Sequence, residues 1–295
     1  MTQTMTQTNS LERTGIRTDC RTRTLRVGYT PDSDDVFNYY AWEQGHVALP
    51  GYAAEFEQEH IIALNRAAMR GEFDVVNVSS VIFPSVADRY RILAVGTSVG
   101  RGYGPVLVSK RYHRLDELAG KRVACGGIPT TGALLAQMFC PASTQLTEMR
   151  YDAIADAILA GEVDAGVMIH EELVYFPQKG LHAIADLGAT WCERNRLPLP
   201  VGLNLVKRDL GRVMATEIAR ACGASLRWAQ AHADEACAHA NRFGRGRAEQ
   251  FVAMFSNRDT LCMPSDVRRA LRVLFGQLAE LGMAPAIEQI EVIDE

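Results

Sequence analysis

The chain lacks the features that mark several large classes of protein. No apolar run approaches the ~18 residues that a membrane-spanning helix needs, so no membrane segment is expected. Charges of one sign form no long block, and the net charge of the 295 residues is only -4. An electrostatic surface for nucleic acid or for an anionic membrane is therefore not predicted. These absences leave a small molecule as the expected partner, and they leave both a monomer and a homodimer open.

The cysteines lack the spacing of a disulfide framework or a redox motif. There are seven of them, none in a CxxC pair, and an odd number leaves one over in any pairing scheme. Reduced thiols in a cytoplasmic protein are the simplest interpretation. Residues 1–23 are rich in Thr and Arg and contain no apolar core of a secretory signal, so a disordered leader is predicted there. A mitochondrial-type transit peptide is the alternative for this leader.

Nucleotide-binding and metal-binding motifs are also missing. The glycine-rich segment Gly96–Gly104 has neither the Lys-Ser/Thr of a Walker A loop nor the GxGxxG order of a dinucleotide site. The three aspartates within Asp32–Asp35 resemble part of a metal site, but no His, Cys or regularly spaced further acid joins them. Neither a metal nor a cofactor is predicted.

Strand and helix patterns alternate along most of the chain. Leu25–Tyr29 and Phe73–Val78 are typical of core strands, and each is followed by polar residues and then by a helical pattern. This order predicts α/β architecture with polar groups at the carboxyl ends of the strands. The chain builds one lobe over 24–107, crosses into a second over 108–204, and returns with C-terminal helices over 205–295. That plan predicts a type II periplasmic-binding-protein-like fold with a ligand cleft between two α/β lobes.

The segment Met149–Gly180 carries the strongest functional signal. An amphipathic helical pattern leads to the apolar run Ala165–Ile169, which predicts a buried strand. His170, Glu171 and Glu172 follow at the carboxyl end of that strand, which is the end where open α/β sheets bind ligands. Three ionisable groups in this place indicate chemistry rather than packing.

Two further loops are candidates for ligand contacts. The loop Thr30–Asp35 follows the first strand, and Ser33, Asp34 or Asp35 is expected either to cap the next helix or to contact a ligand. Thr130 and Thr131 stand at a predicted helix N-terminus, where backbone N–H groups hold an anion or a carboxylate. An ordinary threonine N-cap is the alternative at this second position.

Several blocks of sequence, in the same order from about Leu25 to Pro285, resemble the menaquinone-biosynthesis proteins of the futalosine pathway. Among these, the similarity is greatest to the 1,4-dihydroxy-6-naphthoate synthase family. The matching blocks are Leu64–Asn65, Asp88–Tyr90, Gly100–Pro105, Gly120–Ala124, Thr130–Thr131, Met149–Asp152, Gly161–Gly166, Ile169–Glu171, Asp186–Gly188 and Leu197–Pro200.

The resemblance implies a cofactor-independent carbon–carbon lyase that converts cyclic dehypoxanthinyl futalosine to 1,4-dihydroxy-6-naphthoate. It makes His170 the general base, in agreement with an imidazole that titrates near neutrality at a strand end. Glu171 is expected to orient the ring. The predicted substrate contacts are Ser33, Asp35, Asn65, Ser79, Thr130, Thr131 and Glu171.

The chain also departs from that family. Its first loop reads TPDSDDVF over Thr30–Phe37 where the family has Ser-Pro-Cys-Pro-Asn-Asp-Thr-Phe, so Asp32 and Asp34 are added carboxylates. Two cationic positions of the family are replaced within Gly127–Pro129 and at Leu173, and Glu172 adds another acid. A related lyase with a different substrate and a cytosolic, non-catalytic solute-binding protein are therefore alternatives. A dehydratase forming 3-enolpyruvylbenzoate from chorismate is a third, disfavoured by the His-Glu block.

Overall fold

A computed structural model describes residues 23–243 and 247–295. The predicted leader over residues 1–23 lies outside these residues, except for Arg23, which begins the first strand. Within the described ranges, no helix is both long enough and apolar enough to cross a membrane.

The ordered elements alternate between strands and helices. The strands are β1 (Arg23–Tyr29), β2 (Tyr52–Gln58), β3 (Val75–Ser79), β4 (Tyr90–Leu93), β5 (Ser98–Gly100), β6 (Val106–Ser109), β7 (Arg122–Cys125), β8 (Gln145–Glu148), β9 (Ala165–Met168), β10 (His182–Asp186), β11 (Leu199–Lys207) and β12 (Val292–Ile293). The helices are α1 (Ser33–Glu43), α2 (Ile61–Arg70), α3 (Phe83–Val86), α4 (Thr131–Phe139), α5 (Ile154–Ala160), α6 (Glu172–Tyr175), α7 (Leu187–Asn195), α8 (Gly211–Ala231), α9 (Ala233–Ala240), α10 (Ala248–Phe255), α11 (Arg258–Leu261) and α12 (Ser265–Glu280).

Two separate sheets form the cores of two lobes. The first sheet has the order β12-β4-β11-β3-β1-β2, with β5 paired to β11. In it β1 is parallel to both β2 and β3, so the carboxyl ends of β1 and β3 meet at one edge. The second sheet has the order β10-β6-β9-β7-β8, with β9 in its centre and parallel to β7. Each lobe therefore gathers parallel strand ends at a single edge.

The chain crosses between the lobes twice. It passes from β5 to β6 on the way out and from α7 to β11 on the way back. Strand β11 joins the first sheet from Leu199, ahead of the boundary predicted at residue 205. The prolines of the segment Leu197–Pro200 predict that it is not a central strand. In agreement, Pro200 pairs only with Val99 of the short β5, and pairing with β3 begins at Gly202.

Helix α1 is almost completely covered. Ten of its eleven residues are buried, because α8, α9 and α10 pack over the helix on the first lobe. The first turn of α1 carries Asp34 and Asp35, so this packing withdraws two carboxyl groups from bulk water. This burial raises the pKa of both carboxyl groups.

The first crossing segment touches the start of α7 at a pair of glycines, Gly104 and Gly188. A Cβ on Gly188 would lie 2.4 Å from Cα and 2.6 Å from the nitrogen of Gly104, which are backbone atoms that cannot rotate away. We expect Gly188→Ala to lower the free energy of unfolding by about 1–3 kcal/mol through overpacking. Gly276→Ala in α12 is the matched control, since no atom lies within 4 Å of its new Cβ. That change should stabilise the protein by about 0.5–1 kcal/mol. Equal denaturant midpoints for Gly188→Ala and the wild type would contradict this account.

Candidate active site

A cavity lies between the lobes, where the strand ends of the two sheets face each other. Its volume is about 690 Å³, including the part that is open to solvent. A cavity of this size suits a small-molecule ligand. Its polar lining consists of Thr30, Asp32, Asp34, Asp35, Asn77, Ser79, Ser98, Thr130, Thr131 and His170. Its apolar lining includes Ile61, Pro105, Ile169, Leu173, Val201, Phe251 and Phe255. Among the described residues, no lysine or arginine lines it.

His170 stands two residues beyond the end of β9. The strand itself is fully buried, and the chain leaves it through His170 in a left-handed conformation with φ of 55°. A non-glycine residue in this region costs on the order of 1 kcal/mol or more, and such residues cluster at functional sites. The left-handed residue ends the extended run of the chain and begins the turn into α6.

Asp32 binds the imidazole of His170 from the opposite lobe. One carboxylate oxygen, Oδ2, accepts a short hydrogen bond from Nδ1, and both side chains are largely buried, with 14% of His170 and 6% of Asp32 exposed. Burial alone lowers the pKa of His170, but the Asp32 carboxylate, with smaller effects from Asp35 and Glu171, raises it above its usual value. The second ring nitrogen, Nε2, has no hydrogen-bond partner within residues 23–243 and 247–295.

Glu171 lies beside this pair. Its Oε1 accepts hydrogen bonds from the hydroxyl of Ser33 and from the Ser33 backbone N–H, the latter at 3.3 Å. Asp32, rather than the predicted Glu171, is therefore the carboxylate that binds the imidazole ring. The hydrogen bond between Glu171 and Ser33 joins the two lobes behind the cavity wall. Neither Ser33 nor Glu171 is among the residues that line the cavity.

Among the described carboxylates that line the cavity, Asp35 has the most hydrogen-bond donors. Its Oδ2 accepts from the Thr30 hydroxyl at 2.7 Å and from the Thr30 N–H at 3.1 Å, and its Oδ1 accepts from Asn77 Nδ2 at 2.5 Å. Burial raises the pKa of Asp35 to about 6, although the Thr30 hydroxyl opposes this. The carboxyl of Asp34 accepts a longer hydrogen bond from Ser98 Oγ, at 3.3 Å, and another from the Asp35 backbone N–H.

The N-terminus of α1 differs from the capping prediction made from the sequence. The N-cap position is Asp32, and its side chain makes no capping hydrogen bond. The prediction that Ser33, Asp34 or Asp35 caps the helix is therefore wrong. The polar groups of this turn are bound instead by residues distant in sequence, among them His170 and Asn77.

Asn65, Ser79, Thr130 and Thr131 build the wall between the lobes. Asn65 Nδ2 donates to Ser79 Oγ at 3.1 Å and, across the lobes, to the Pro129 carbonyl at 3.0 Å. Ser79 lines the cavity, whereas Asn65 lies behind it.

The two threonines lie at the start of α4 and both line the cavity. Thr130 caps the helix, accepting from the Ala133 N–H at 3.2 Å. The Thr131 hydroxyl donates to the Val201 carbonyl of β11 at 2.7 Å. The prediction of a helix N-terminus at this position is confirmed.

The structure adds residues that the sequence interpretation did not select as ligand contacts. Asn77 precedes Ser79 by two positions in β3, so strand alternation places both on one face. The sequence alone therefore contains the information needed to select Asn77. Ser98 belongs to β5, a strand hidden within the glycine-rich segment. Phe251 and Phe255 come from a C-terminal helix, and their sequence pattern is that of ordinary core residues.

Comparison with known proteins decides the family. A family model described as menaquinone biosynthesis matches residues 25–280. The chain is 36% identical over 268 residues to 1,4-dihydroxy-6-naphthoate synthase from Thermus thermophilus, covering 88% of this chain and 96% of that relative. The chain belongs to the menaquinone-biosynthesis family. A second member, 1,4-dihydroxy-6-naphthoate synthase from Streptomyces coelicolor, is 31% identical over 274 residues, covering 90% of this chain and 96% of its own length. The family predicted from the sequence is confirmed.

Solved structures confirm the fold of this family member. Protein AF1704 from Archaeoglobus fulgidus matches with a TM-score of 0.84 and 39% identity, over 88% of this chain and 98% of its own. The alkanesulfonate-binding protein SsuA from Xanthomonas axonopodis pv. citri matches with a TM-score of 0.69 and 14% identity, over 92% of this chain and 98% of its own. The second likeness shows the fold alone, and it confirms the periplasmic-binding-protein-like architecture.

Proposed function

We propose that this member of the menaquinone-biosynthesis family is a carbon–carbon lyase of the 1,4-dihydroxy-6-naphthoate synthase type. Its substrate would be cyclic dehypoxanthinyl futalosine, and His170 its general base. The observation that carries this proposal is the pairing of His170 Nδ1 with Asp32 inside the inter-lobe cavity. The names of the relatives from Thermus and Streptomyces support the same activity.

The Asp32–His170 pair determines which nitrogen acts. Because Asp32 accepts a hydrogen bond from Nδ1, the neutral ring carries its proton on Nδ1 and its lone pair on Nε2. Nε2 then removes a proton from the carbon beside a substrate carbonyl, and the electron pair moves toward that carbonyl oxygen. Carbon–carbon cleavage follows, driven by formation of the aromatic naphthoate, and a small dihydroxyketone fragment leaves. Asp32 stabilises the imidazolium that forms on His170.

The remaining lining residues bind the substrate in this proposal. The hydroxyl protons of Thr130 and Thr131 are directed to the Gly127 and Val201 carbonyls, so these side chains shape the wall. The first N–H groups of α4 have no partner within their own helix and would receive the carboxylate of the substrate. Asp35 and Ser79 line the first-lobe side of the same cavity and would contact its hydroxyl groups.

An assay of the purified protein tests the proposed reaction. Incubation with cyclic dehypoxanthinyl futalosine, without added metal or cofactor, is expected to give 1,4-dihydroxy-6-naphthoate with saturable kinetics, followed by chromatography and mass spectrometry. Saturable binding of the substrate without any turnover would instead identify a solute-binding protein. Turnover of chorismate to 3-enolpyruvylbenzoate, but not of the futalosine derivative, would identify the dehydratase.

We further propose that the reaction takes place in the cytoplasm on a small molecule as the only partner, by a monomer or a homodimer. The cysteines of the described part of the chain support a reducing compartment, since all six are free. Light scattering on the purified protein distinguishes the two oligomeric states.

A further inference from the structure

Three carboxyl groups share the cavity with a single basic group. Asp32, Asp34 and Asp35 are 5%, 6% and 5% exposed, and His170 is the only basic side chain in the described lining. Buried carboxylates at such close sequence spacing repel one another, and burial penalises each charge. One imidazole cannot compensate three buried negative charges, so at least one carboxyl group holds a proton.

The hydrogen-bond donors indicate which group that is. Asp35 accepts from three donors, and Asp32 accepts from His170 Nδ1 and lies 3.0 Å from the Thr30 hydroxyl. Asp34 accepts from the Ser98 hydroxyl at 3.3 Å and from the Asp35 backbone N–H. Donors stabilise the charged form of a carboxyl group, and Asp34 has fewer than Asp35 and lacks the imidazole partner of Asp32.

Within the described residues, the positive charge nearest in sequence to the Asp34 contacts is already paired. From the segment after β5, Arg101 is bound to Asp259 and Asp266, and from α9, Glu235 accepts from Tyr40. Phe251 and Phe255 face the cavity from α10. Burial, followed by the Asp35 and Asp32 charges, raises the pKa of Asp34 well above its usual value.

We propose that Asp34 is a neutral carboxylic acid that donates a hydrogen bond to the substrate carbonyl oxygen, and so acts as a second catalytic residue alongside His170. This proposal rests on the proposed lyase reaction. A carboxyl group kept neutral in a closed site is an effective donor to a developing oxyanion.

The proton balance of the step is simple. His170 Nε2 takes the proton from carbon, and the electron pair of the broken C–H bond moves onto the carbonyl oxygen. That oxygen accepts the hydrogen bond from the Asp34 O–H, and the proton stays on Asp34. When the electron pair returns from the oxygen, a new carbon–carbon double bond forms and the bond to the departing fragment breaks. The bonding pair leaves with that fragment, which takes the proton from His170 Nε2. His170 and Asp34 thus return to their starting protonation states, and no co-reactant is needed.

Three variants test the catalytic role through kcat and its pH dependence. Asp34→Leu removes the donor and should lower kcat by about 10²–10³-fold. Asp34→Asn keeps a donor that does not titrate, so it should lose less than about tenfold and should abolish the fall of activity at alkaline pH. Ser98→Ala removes the hydroxyl that lowers the pKa of Asp34, so the alkaline limb should move to higher pH. Asp88→Asn, on an exposed carboxyl far from the cavity lining, is the matched control.

The outcomes separate this proposal from the lyase assignment. Infrared spectra should show the carbonyl stretch of a protonated carboxylic acid at neutral pH, and this band should be absent from Asp34→Asn. Absence of the band in the wild type overturns the proposal even if the enzyme is active and even if Asp34→Leu does not fold. An equal loss of kcat in Asp34→Asn and Asp34→Leu also overturns it. A wild-type protein that shows the band but does not turn over the futalosine derivative refutes the lyase assignment, and with it the catalytic role of Asp34.

Discussion

Replacement of His170 by alanine is expected to lower kcat for naphthoate formation by about 10²–10⁴-fold, the usual contribution of a general base. KM should change much less, because the neighbouring contacts of Asp35, Ser79 and α4 remain. The measurement is steady-state turnover of the wild type and the variant across a range of substrate concentrations. Added imidazole should restore part of the lost activity, since the deletion leaves room for a small base beside Asp32.

His182→Ala is the matched control for this experiment. His182 also lies in the second lobe, but it stacks on His113 and its Nε2 lies 2.8 Å from the Tyr112 carbonyl oxygen. It is not among the residues that line the cavity. Its removal should leave kcat unchanged at a temperature where the variant is folded. Full activity of His170→Ala would sink the assignment of the base, and equal losses in the two variants would point to a general loss of folding.

The second large effect is expected from Asp32→Asn. The amide can donate to Nδ1 as well as accept from it, so the ring no longer keeps its lone pair on Nε2. A loss of about 10²–10⁴-fold in kcat is the scale for a base whose orienting carboxylate is replaced in this way. Circular dichroism should show an unchanged fold, since the two side chains have the same shape.

The pH profile of Asp32→Asn carries the sharper test. His170 acts when it is deprotonated, so wild-type activity should rise with pH through a His170 pKa above its usual value. Asp32 is the largest of the effects that raise this pKa, while burial lowers it, so the acid limb of the variant should move to lower pH. Glu171→Gln should produce a smaller shift in the same direction. An acid limb that stays in place in Asp32→Asn would show that His170 is not the group that titrates.

The sequence was informative where local pattern decides structure. The apolar run before His170 is a buried strand, and the helix ending before Gly71 closes on that glycine in a left-handed conformation. Local pattern failed where tertiary contacts decide. The polar edge strand β8 has no apolar alternation to reveal it. The sequence pattern of Phe83–Tyr90 predicts a helix, but helix α3 ends at Val86 and the chain enters β4 at Tyr90.

The residues of the site likewise include some that local sequence predicts and some that only tertiary contacts determine. The position of His170 followed from a strand end, which is a local feature with a general rule behind it. Its partner Asp32 is more than a hundred residues away on the other lobe, and only the packing of the two lobes brings their side chains together. The neutral state inferred for Asp34 depends on three helices that cover α1 from the C-terminal part of the chain. The sequence of the loop that contains these aspartates predicts neither the contact of Asp32 with His170 nor the neutral state inferred for Asp34.

The division of the catalytic pair between the lobes links the chemistry to motion. Asp32 is carried by the first lobe and His170 by the second, so an opening of the cleft that admits substrate also separates the base from its carboxylate. In such an open form the lone pair of His170 is no longer fixed on Nε2. If His170 is the base that we propose, closure of the lobes would assemble it, and an open cleft would hold no preformed base.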